Sequence, residues 1–146
     1  MTALIRILVV DDDADIRSLM AEILAGPDRE VHLAPGGREA VECVDTMDLD
    51  LVILDLSMPG MDGWETATQI RRRSGVPLLI VTARVADGER LRGSQMGAEG
   101  FMLKPFLRRE LIGAVENILE PPVGPAIIPR AAARARRAPD PRAACR

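Results

Sequence analysis

Short apolar runs alternate with amphipathic segments along the first 120 residues. Residues 4–10 and 51–54 are aliphatic runs rich in β-branched side chains, which is typical of strands buried on both faces, and residues 76–81 are similar. Shorter runs at residues 30–33 and 101–103 predict two further strands. Five strands that alternate with helices predict an α/β domain whose parallel sheet is covered on both faces.

The predicted helices repeat apolar residues at spacings of three and four. The first such repeat ends at the Gly-Pro pair of residues 26–27 and consists of Ile16, Leu19, Met20, Ile23 and Leu24. Similar patterns predict helices at residues 37–46, 65–73 and 111–119. Residues 85–97 contain few large apolar side chains and three glycines, so we expect a marginal, mobile helix there.

Polar residues directly follow four of the apolar runs. Asp11 and Asp12 come after the first run, and Asp55 after the run at residues 51–54. Thr82 and Lys104 follow the last two runs. In an open parallel sheet, residues just past the carboxyl ends of neighbouring strands converge on one crevice. The sequence therefore predicts a single acidic site built from residues that are far apart along the chain.

These ordered motifs resemble the receiver, or phospho-acceptor, domain of two-component response regulators over roughly residues 4–119. The matching segments are residues 9–13 (VVDDD), 54–63 (LDLSMPGMDG), 81–83 (VTA) and 103–106 (LKPF). The resemblance implies a flavodoxin-like (βα)5 fold with a doubly wound sheet in the strand order 2-1-3-4-5. It also implies that Asp12 and Asp55 bind Mg²⁺ directly and that Asp11 acts through water. The backbone carbonyl of Ser57 would complete the protein ligands.

The residue types suit phosphoryl chemistry. Three carboxylates at adjacent strand ends repel one another unless a cation neutralises them or some stay protonated. Mg²⁺ fits this need, because it prefers oxygen ligands in octahedral geometry. Asp55 is the candidate nucleophile, since a metal can offset the repulsion between a carboxylate and an anionic phosphoryl group. Lys104 would give the phosphoryl oxygens a fixed positive charge, and Thr82 a hydroxyl to hydrogen-bond one of them.

The resemblance also implies a switch that couples the site to the fifth strand. When the Thr82 hydroxyl turns towards a phosphate it leaves space, and in the family an aromatic residue of the fifth strand rotates into it. Phe101 stands at that position and lacks a hydroxyl, so only the steric part of this mechanism is expected here. The family has a cis peptide where this chain has Lys104-Pro105.

The leading interpretation is a phosphorylation switch rather than an enzyme with an external substrate. Asp55 would take a phosphoryl group from a histidine kinase or a phosphotransfer protein in a Mg²⁺-dependent reaction, and the domain would then bind a downstream protein. Its only catalysis would be its own phosphorylation and slow dephosphorylation. A metal-dependent phosphohydrolase is disfavoured, because Ser57 stands where phosphatases of this topology usually have a second acid.

Charge divides the chain into two parts. Residues 1–120 carry 13 Lys and Arg against 21 Asp and Glu, whereas residues 121–146 carry six Arg against Asp140. We therefore expect a receiver domain over residues 1–120 and a disordered Pro/Ala/Arg-rich tail over residues 121–146. The alternative function is a receiver whose tail associates with nucleic acid. Six Arg without aromatic residues or a helix-turn-helix pattern would bind only weakly, so a nucleic-acid partner is not expected.

The sequence also suggests a location. The first ten residues lack the pattern of a signal peptide, and no apolar run approaches the ~20 residues that span a bilayer. A cytoplasmic protein without a membrane partner is therefore expected.

Several residues close to the motifs have structural interpretations. Asp13 is expected at the start of the first helix, where an acid favours the helix dipole. His32, the only histidine, lies in a predicted strand and is expected to be structural rather than a phosphocarrier. Trp64 is expected to pack in the core, and Asp62-Gly63 is an ordinary turn-forming pair.

Overall fold

A computed structural model describes residues 4–56, 63–83 and 96–120. The elements, numbered in chain order, are β1 (Ile5–Val10), α1 (Ala14–Leu24), β2 (Arg29–Ala34), α2 (Gly37–Thr46), β3 (Leu51–Leu54), α3 (Gly63–Arg73), β4 (Leu78–Thr82), β5 (Gly100–Leu103) and α4 (Arg108–Leu119). The helix expected within residues 85–97 lies outside the described residues, apart from Met96 and Gly97, which form a turn. None of the described helices has the length and apolar character needed to cross a membrane.

The five described strands form one parallel sheet in the order β2-β1-β3-β4-β5. This result confirms the predicted α/β class and strand order. Val10, the last residue of β1, pairs with Ala34 and Leu54, the last residues of β2 and β3. Thr82 and Leu103 pair in the same way at the ends of β4 and β5. The ends of β1, β2 and β3 are therefore level, and β4 and β5 run two residues further, since Leu54 pairs with Ile80. The segments that follow the strands meet at one edge of the sheet.

Two aliphatic layers cover the sheet. Because side chains alternate between the two faces of a strand, β1 contributes Leu8 and Val10 to one layer and Ile7 and Val9 to the other. The first layer includes buried residues of α2 and α3, and the second includes buried residues of α1 and α4. Every residue of β3 and β4 is buried. Burial on both faces explains why these strands are almost uniformly apolar instead of alternating.

Local chemistry accounts for small shifts in the observed boundaries. α1 begins at Ala14 because Asp13 is its N-cap, and the Asp13 side chain accepts hydrogen bonds from the N–H groups of the next turn. The prediction for Asp13 is thus confirmed. β4 begins at Leu78 instead of Val76, since Pro77 has no N–H for the strand ladder and contributes only its carbonyl, which accepts from the Val52 N–H at 2.9 Å.

Trp64 and His32 both have structural surroundings. Trp64 is 3% exposed and packs with Leu56 and Ile80, which confirms its predicted packing role. His32 lies in β2, and its ring nitrogen Nε2 contacts the carboxylate of Glu30 on the same strand. His32 is therefore paired with an acid of its own strand and lies outside the acidic cluster.

Candidate functional site

Backbone hydrogen bonds continue the strand ladder by one residue and place two aspartates side by side. The Asp11 N–H donates to the Ala34 carbonyl at 3.2 Å, and the Asp55 N–H donates to the Val10 carbonyl at 3.0 Å. Asp11 has 0% exposed surface and Asp55 has 5%. Buried carboxylates are costly unless they are paired or hydrogen-bonded, so both need strong partners.

Lys104 is one such partner. Its Nζ donates to Asp11 Oδ2 at 2.7 Å and lies 3.5 Å from Asp55 Oδ2. Its backbone N–H donates to the Thr82 carbonyl at 2.9 Å, and the Lys104-Pro105 peptide is cis, as expected. Burial alone would lower the pKa of Lys104, but the hydrogen bond to Asp11 and the negative charges of Asp55 and Asp11 raise that pKa above its ordinary value. The ammonium group therefore stays charged between the two acids.

Asp12 completes a cluster of three acids. Carboxylate oxygens of Asp11, Asp12 and Asp55 all lie within 4.8 Å of one another, and Asp12 is the exposed member. Closely spaced carboxylate oxygens are the ligands that a hard divalent cation prefers, so this cluster could hold one. The predicted fourth ligand, the carbonyl of Ser57, lies outside the described residues.

Thr82 and Phe101 are diagonal neighbours on β4 and β5. Thr82 is fully buried at the end of β4. Phe101 pairs with Ile80, two residues before Thr82, so the three side chains share one face of the sheet. Phe101 is partly buried and packs against the cluster that contains Leu56 and Trp64. The structure therefore brings the two predicted switch residues together.

A glycine behind Asp55 has a role that the sequence motifs did not indicate. Gly63 begins α3, and its N–H donates to the Leu56 carbonyl at 3.2 Å. A Cβ atom at this position would lie 2.3 Å from Leu56 Cα and 2.6 Å from the Asp55 carbonyl oxygen. The start of α3 thus lies directly against the backbone that carries Asp55. Describing Asp62-Gly63 only as a turn former misses this close approach, for which the glycine itself was the only signal.

Two charged residues near the strand ends were also missed. Arg17 of α1 donates from Nη1 to the Asp11 backbone carbonyl at 2.7 Å, which ties α1 to the backbone that carries this acid. No sequence signal marks this contact, because its acceptor is a backbone carbonyl six residues earlier. Asp50 is buried at the opposite end of the sheet, where its carboxylate accepts the Arg6 N–H at 2.8 Å. Asp50 is therefore a structural acid that lies away from the cluster.

Similarity to known proteins covers most of the described domain and not only the residues of the acidic site. The family model described as "Response regulator receiver domain" matches residues 7–116. The uncharacterized transcriptional regulatory protein YrkP of Bacillus subtilis is 45% identical over 106 residues, which cover 73% of this chain and 46% of that protein. The DNA-binding response regulator MtrA of Mycobacterium tuberculosis is 36% identical over 110 residues, which cover 75% of this chain and 48% of that protein. The chain thus spans about half the length of these curated relatives.

Solved structures agree with the sequence matches. The chemotaxis protein CheY4 of Vibrio cholerae has a TM-score of 0.75 at 31% identity, and the match covers 80% of this chain and 100% of that one. The non-phosphorylated HemR receiver domain of Leptospira biflexa has a TM-score of 0.75 at 32% identity, with 82% of this chain and 98% of that one covered. Together with the strand order 2-1-3-4-5, these matches show that the chain belongs to the family of response regulator receiver domains.

Proposed function

We propose that this receiver domain is a phosphorylation switch in which Asp55 accepts a phosphoryl group from a histidine kinase or a phosphotransfer protein. One observation carries the proposal: the buried Asp55 carboxylate has the charged Lys104 Nζ at 3.5 Å and two further acids within 4.8 Å. A preorganised cation beside potential metal ligands is suited to stabilising an arriving anion. The phosphorylated domain would signal by binding a downstream protein.

Phosphoryl transfer requires positioning and charge stabilisation more than covalent help from the protein. An oxygen of the Asp55 carboxylate attacks phosphorus, and the bond from phosphorus to the donor's nitrogen or oxygen breaks. The Lys104 ammonium, which contacts Asp11 and Asp55 in this structure, turns towards an oxygen of the phosphoryl group. The Thr82 hydroxyl donates a hydrogen bond to another of these oxygens. The only reactions that the domain catalyses are its own phosphorylation by such a donor and its own slow dephosphorylation.

Mg²⁺ is the proposed cofactor. Asp11, Asp12 and Asp55 would hold it, and the family resemblance adds the Ser57 carbonyl. When bound, it supplies positive charge that offsets the repulsion between the Asp55 carboxylate and the phosphoryl group. The residues present fit this ion, because all three side chains offer oxygen ligands and the exposed position of Asp12 leaves room for the waters that Mg²⁺ retains.

The proposed switch links this site to β5. Movement of the Thr82 hydroxyl towards a phosphate would leave space on the face that Thr82 shares with Phe101. The Phe101 ring, which is only partly buried, would then move into that space. Because Phe101 has no hydroxyl, the resulting change at the surface is steric, and a protein partner would recognise it by shape.

Incubation with Mg²⁺ and acetyl phosphate tests the proposed function directly. The intact mass of the protein should rise by one phosphoryl group, and peptide mapping should place that group on Asp55. The same incubation with a chelator in place of Mg²⁺ should give no rise. A phosphate mapped to Ser57 or His32 would contradict the assignment of the acceptor.

Asp12→Ala is expected to weaken Mg²⁺ binding by roughly tenfold or more, because Asp12 is one of the two carboxylates expected to bind the ion directly. The same change removes like-charge repulsion, so the metal-free protein should be no less stable than the wild type. Trp64 fluorescence can follow the titration, since Trp64 packs on Leu56, the residue after Asp55.

Asp13→Asn is the matched control for this titration. It removes one negative charge from the neighbouring position, keeps a good N-cap for α1, and leaves the three clustered acids intact. Its affinity for Mg²⁺ should stay close to that of the wild type. Equal affinities in Asp12→Ala and the wild type would show that the metal binds elsewhere.

A regulator that associates with nucleic acid is the second candidate for the whole protein. Two observations favour it: MtrA is named a DNA-binding response regulator, and residues 121–146 of this chain carry six Arg against one acid. Contacts from Arg to phosphates would be weak and strongly salt-dependent.

For either function we propose the same domain organisation and location. Residues 1–120 form the receiver domain, and residues 121–146 form a separate tail. The protein works in the cytoplasm.

A further inference from the structure

Arg71, near the end of α3, binds four acceptors with one guanidinium group. Its Nη1 donates to the Val76 carbonyl at 2.5 Å, and its Nε donates to the Met96 carbonyl at 3.3 Å. Its Nη2 donates to the Gly97 carbonyl at 2.7 Å and to Glu99 Oε2 at 3.1 Å. Three of these four acceptors belong to the segment that leads directly into β5.

Glu99 extends this network to β4. The same Oε2 atom that accepts from Arg71 also accepts from the Leu78 N–H at 2.7 Å, and the Glu99 N–H donates to the Leu78 carbonyl at 2.9 Å. Gly97 has a φ of +82°, a conformation that a residue with a side chain rarely adopts. This turn directs the carbonyls before β5 towards Arg71. The start of β5 is thus joined to the start of β4 and to the end of α3.

β5 is both short and at an edge of the described sheet, so contacts at its ends matter for its position. It has only four residues, and in the described sheet it lies at an edge with β4 as its one strand neighbour. Lys104 follows directly after it and donates its N–H to the Thr82 carbonyl. The position of the Lys104 ammonium at Asp11 therefore requires β5 to keep its register along β4.

α3 joins this network to the acidic site from the other end. Gly63 lies against the Asp55–Leu56 backbone at the start of α3, and Arg71 binds the β5 approach near its end. A helix of 11 residues is about 16 Å long and moves as a rigid unit. The two contacts therefore fix the phospho-acceptor residue and the lysine-bearing strand to the same rigid helix.

We propose that Arg71 is a positioning residue that holds β5 in place so that Lys104 reaches Asp11 and Asp55. Its effect on phosphorylation rests on the proposed function, whereas its effect on β5 does not. A lysine cannot replace it fully, because a single ammonium group lacks the planar fork that serves acceptors on several sides.

Amide hydrogen exchange of the unphosphorylated protein tests the positioning itself. In Arg71→Gln, exchange of the β5 amides and of Lys104 should become roughly tenfold faster, as expected when hydrogen bonds to a charged group are lost. Exchange in β1 and β3 should stay unchanged. Arg73→Gln is the matched control, since Arg73 lies on the same helix but pairs with Asp45 of α2. Arg71→Lys should fall between the wild type and Arg71→Gln, and it replaces Arg71→Gln if that variant does not fold.

Phosphorylation kinetics test whether Arg71 acts through Lys104. The rate constant with Mg²⁺ and acetyl phosphate should fall roughly tenfold in Arg71→Gln, since small misplacements of a catalytic group cost one to two orders of magnitude. The double variant Arg71→Gln/Lys104→Ala should be no slower than Lys104→Ala alone. If Arg71→Gln acted instead through a general loss of stability, it would slow phosphorylation of the Lys104→Ala protein as well.

Two results would overturn the proposal. One is that amide exchange in Arg71→Gln does not become faster in β5, or becomes faster to the same extent in every strand of the sheet. The other is a pair of substitutions whose effects on the phosphorylation rate simply multiply. A wild-type protein that gains no phosphoryl group would contradict the proposed function instead, and the exchange data would then decide on Arg71 alone.

Discussion

Asp55→Asn is expected to abolish the gain of a phosphoryl group from acetyl phosphate. An amide at this position cannot attack phosphorus as a carboxylate does, and it removes one of the three clustered acids that would bind Mg²⁺. The amide has nearly the same shape, so the fold should be kept. Intact mass after incubation measures the outcome, and thermal unfolding without metal should give a melting temperature equal to or above that of the wild type, because like-charge repulsion falls.

Asp45→Asn provides the control for this experiment. Asp45 is an acid on α2 that pairs with Arg73 at the surface and lies outside the acidic cluster. The Asp45→Asn protein should gain one phosphoryl group at the wild-type rate. If the Asp55→Asn protein still gains a phosphoryl group and Asp55 is the mapped site in the wild type, a second acceptor exists and the site has been assigned too narrowly.

Gly63→Ala is expected to lower the free energy of unfolding by about 1–3 kcal/mol or more, the usual range for an overpacked position. The added methyl group would begin 2.3 Å from Leu56 Cα, and backbone atoms cannot move aside as easily as a flexible side chain. Either α3 or the Asp55–Leu56 backbone must shift. Urea unfolding measures the loss, and slower phosphorylation of the folded variant would show that the shift reaches Asp55.

Gly113→Ala is the matched control because it makes the same change inside a helix with open space around it. Among the residues that the structure describes, no atom beyond its chain neighbours and the backbone of its own helix lies within 4 Å of a Cβ built on Gly113 in α4. Alanine favours helix over glycine, so this variant should gain up to about 1 kcal/mol of stability. Equal stabilities of Gly63→Ala and the wild type would mean that α3 has a freedom of movement that the close contact does not suggest.

Most of the fold could be predicted from the sequence, because parallel strands that are buried on both faces appear in it as continuous apolar runs. The runs ending at Val10, Leu54 and Val81 are apolar on both faces, and each precedes a polar residue. Parallel topology then requires Asp11, Asp55, Thr82 and Lys104 to meet, as they do. The functional roles given to these residues remain predictions, and Ser57, the helix expected near residues 85–97 and the tail lie outside the described residues.

Contacts that depend on the exact packing of distant elements could not be predicted in the same way. Residues 71–73 are three consecutive arginines, and nothing in the sequence separates Arg71, which binds the β5 approach, from Arg73, which pairs with Asp45. The role of Gly63 is likewise invisible without the position of the Asp55 backbone. Local patterns encode which face of a helix is buried, whereas these contacts are defined by how two elements meet.

The ion pair between Lys104 and Asp11 spans 93 positions of the sequence, which has a consequence for how the polypeptide folds during synthesis. Closing so long a loop costs entropy, and β5, the last described strand along the chain, lies at the edge of the described sheet. A nascent chain that has emerged only as far as β4 would therefore bring Asp11 and Asp55 together with no lysine to balance them. Uncompensated acids oppose compaction, so we expect an unfinished chain to stay open and sensitive to proteases until Lys104 has left the ribosome.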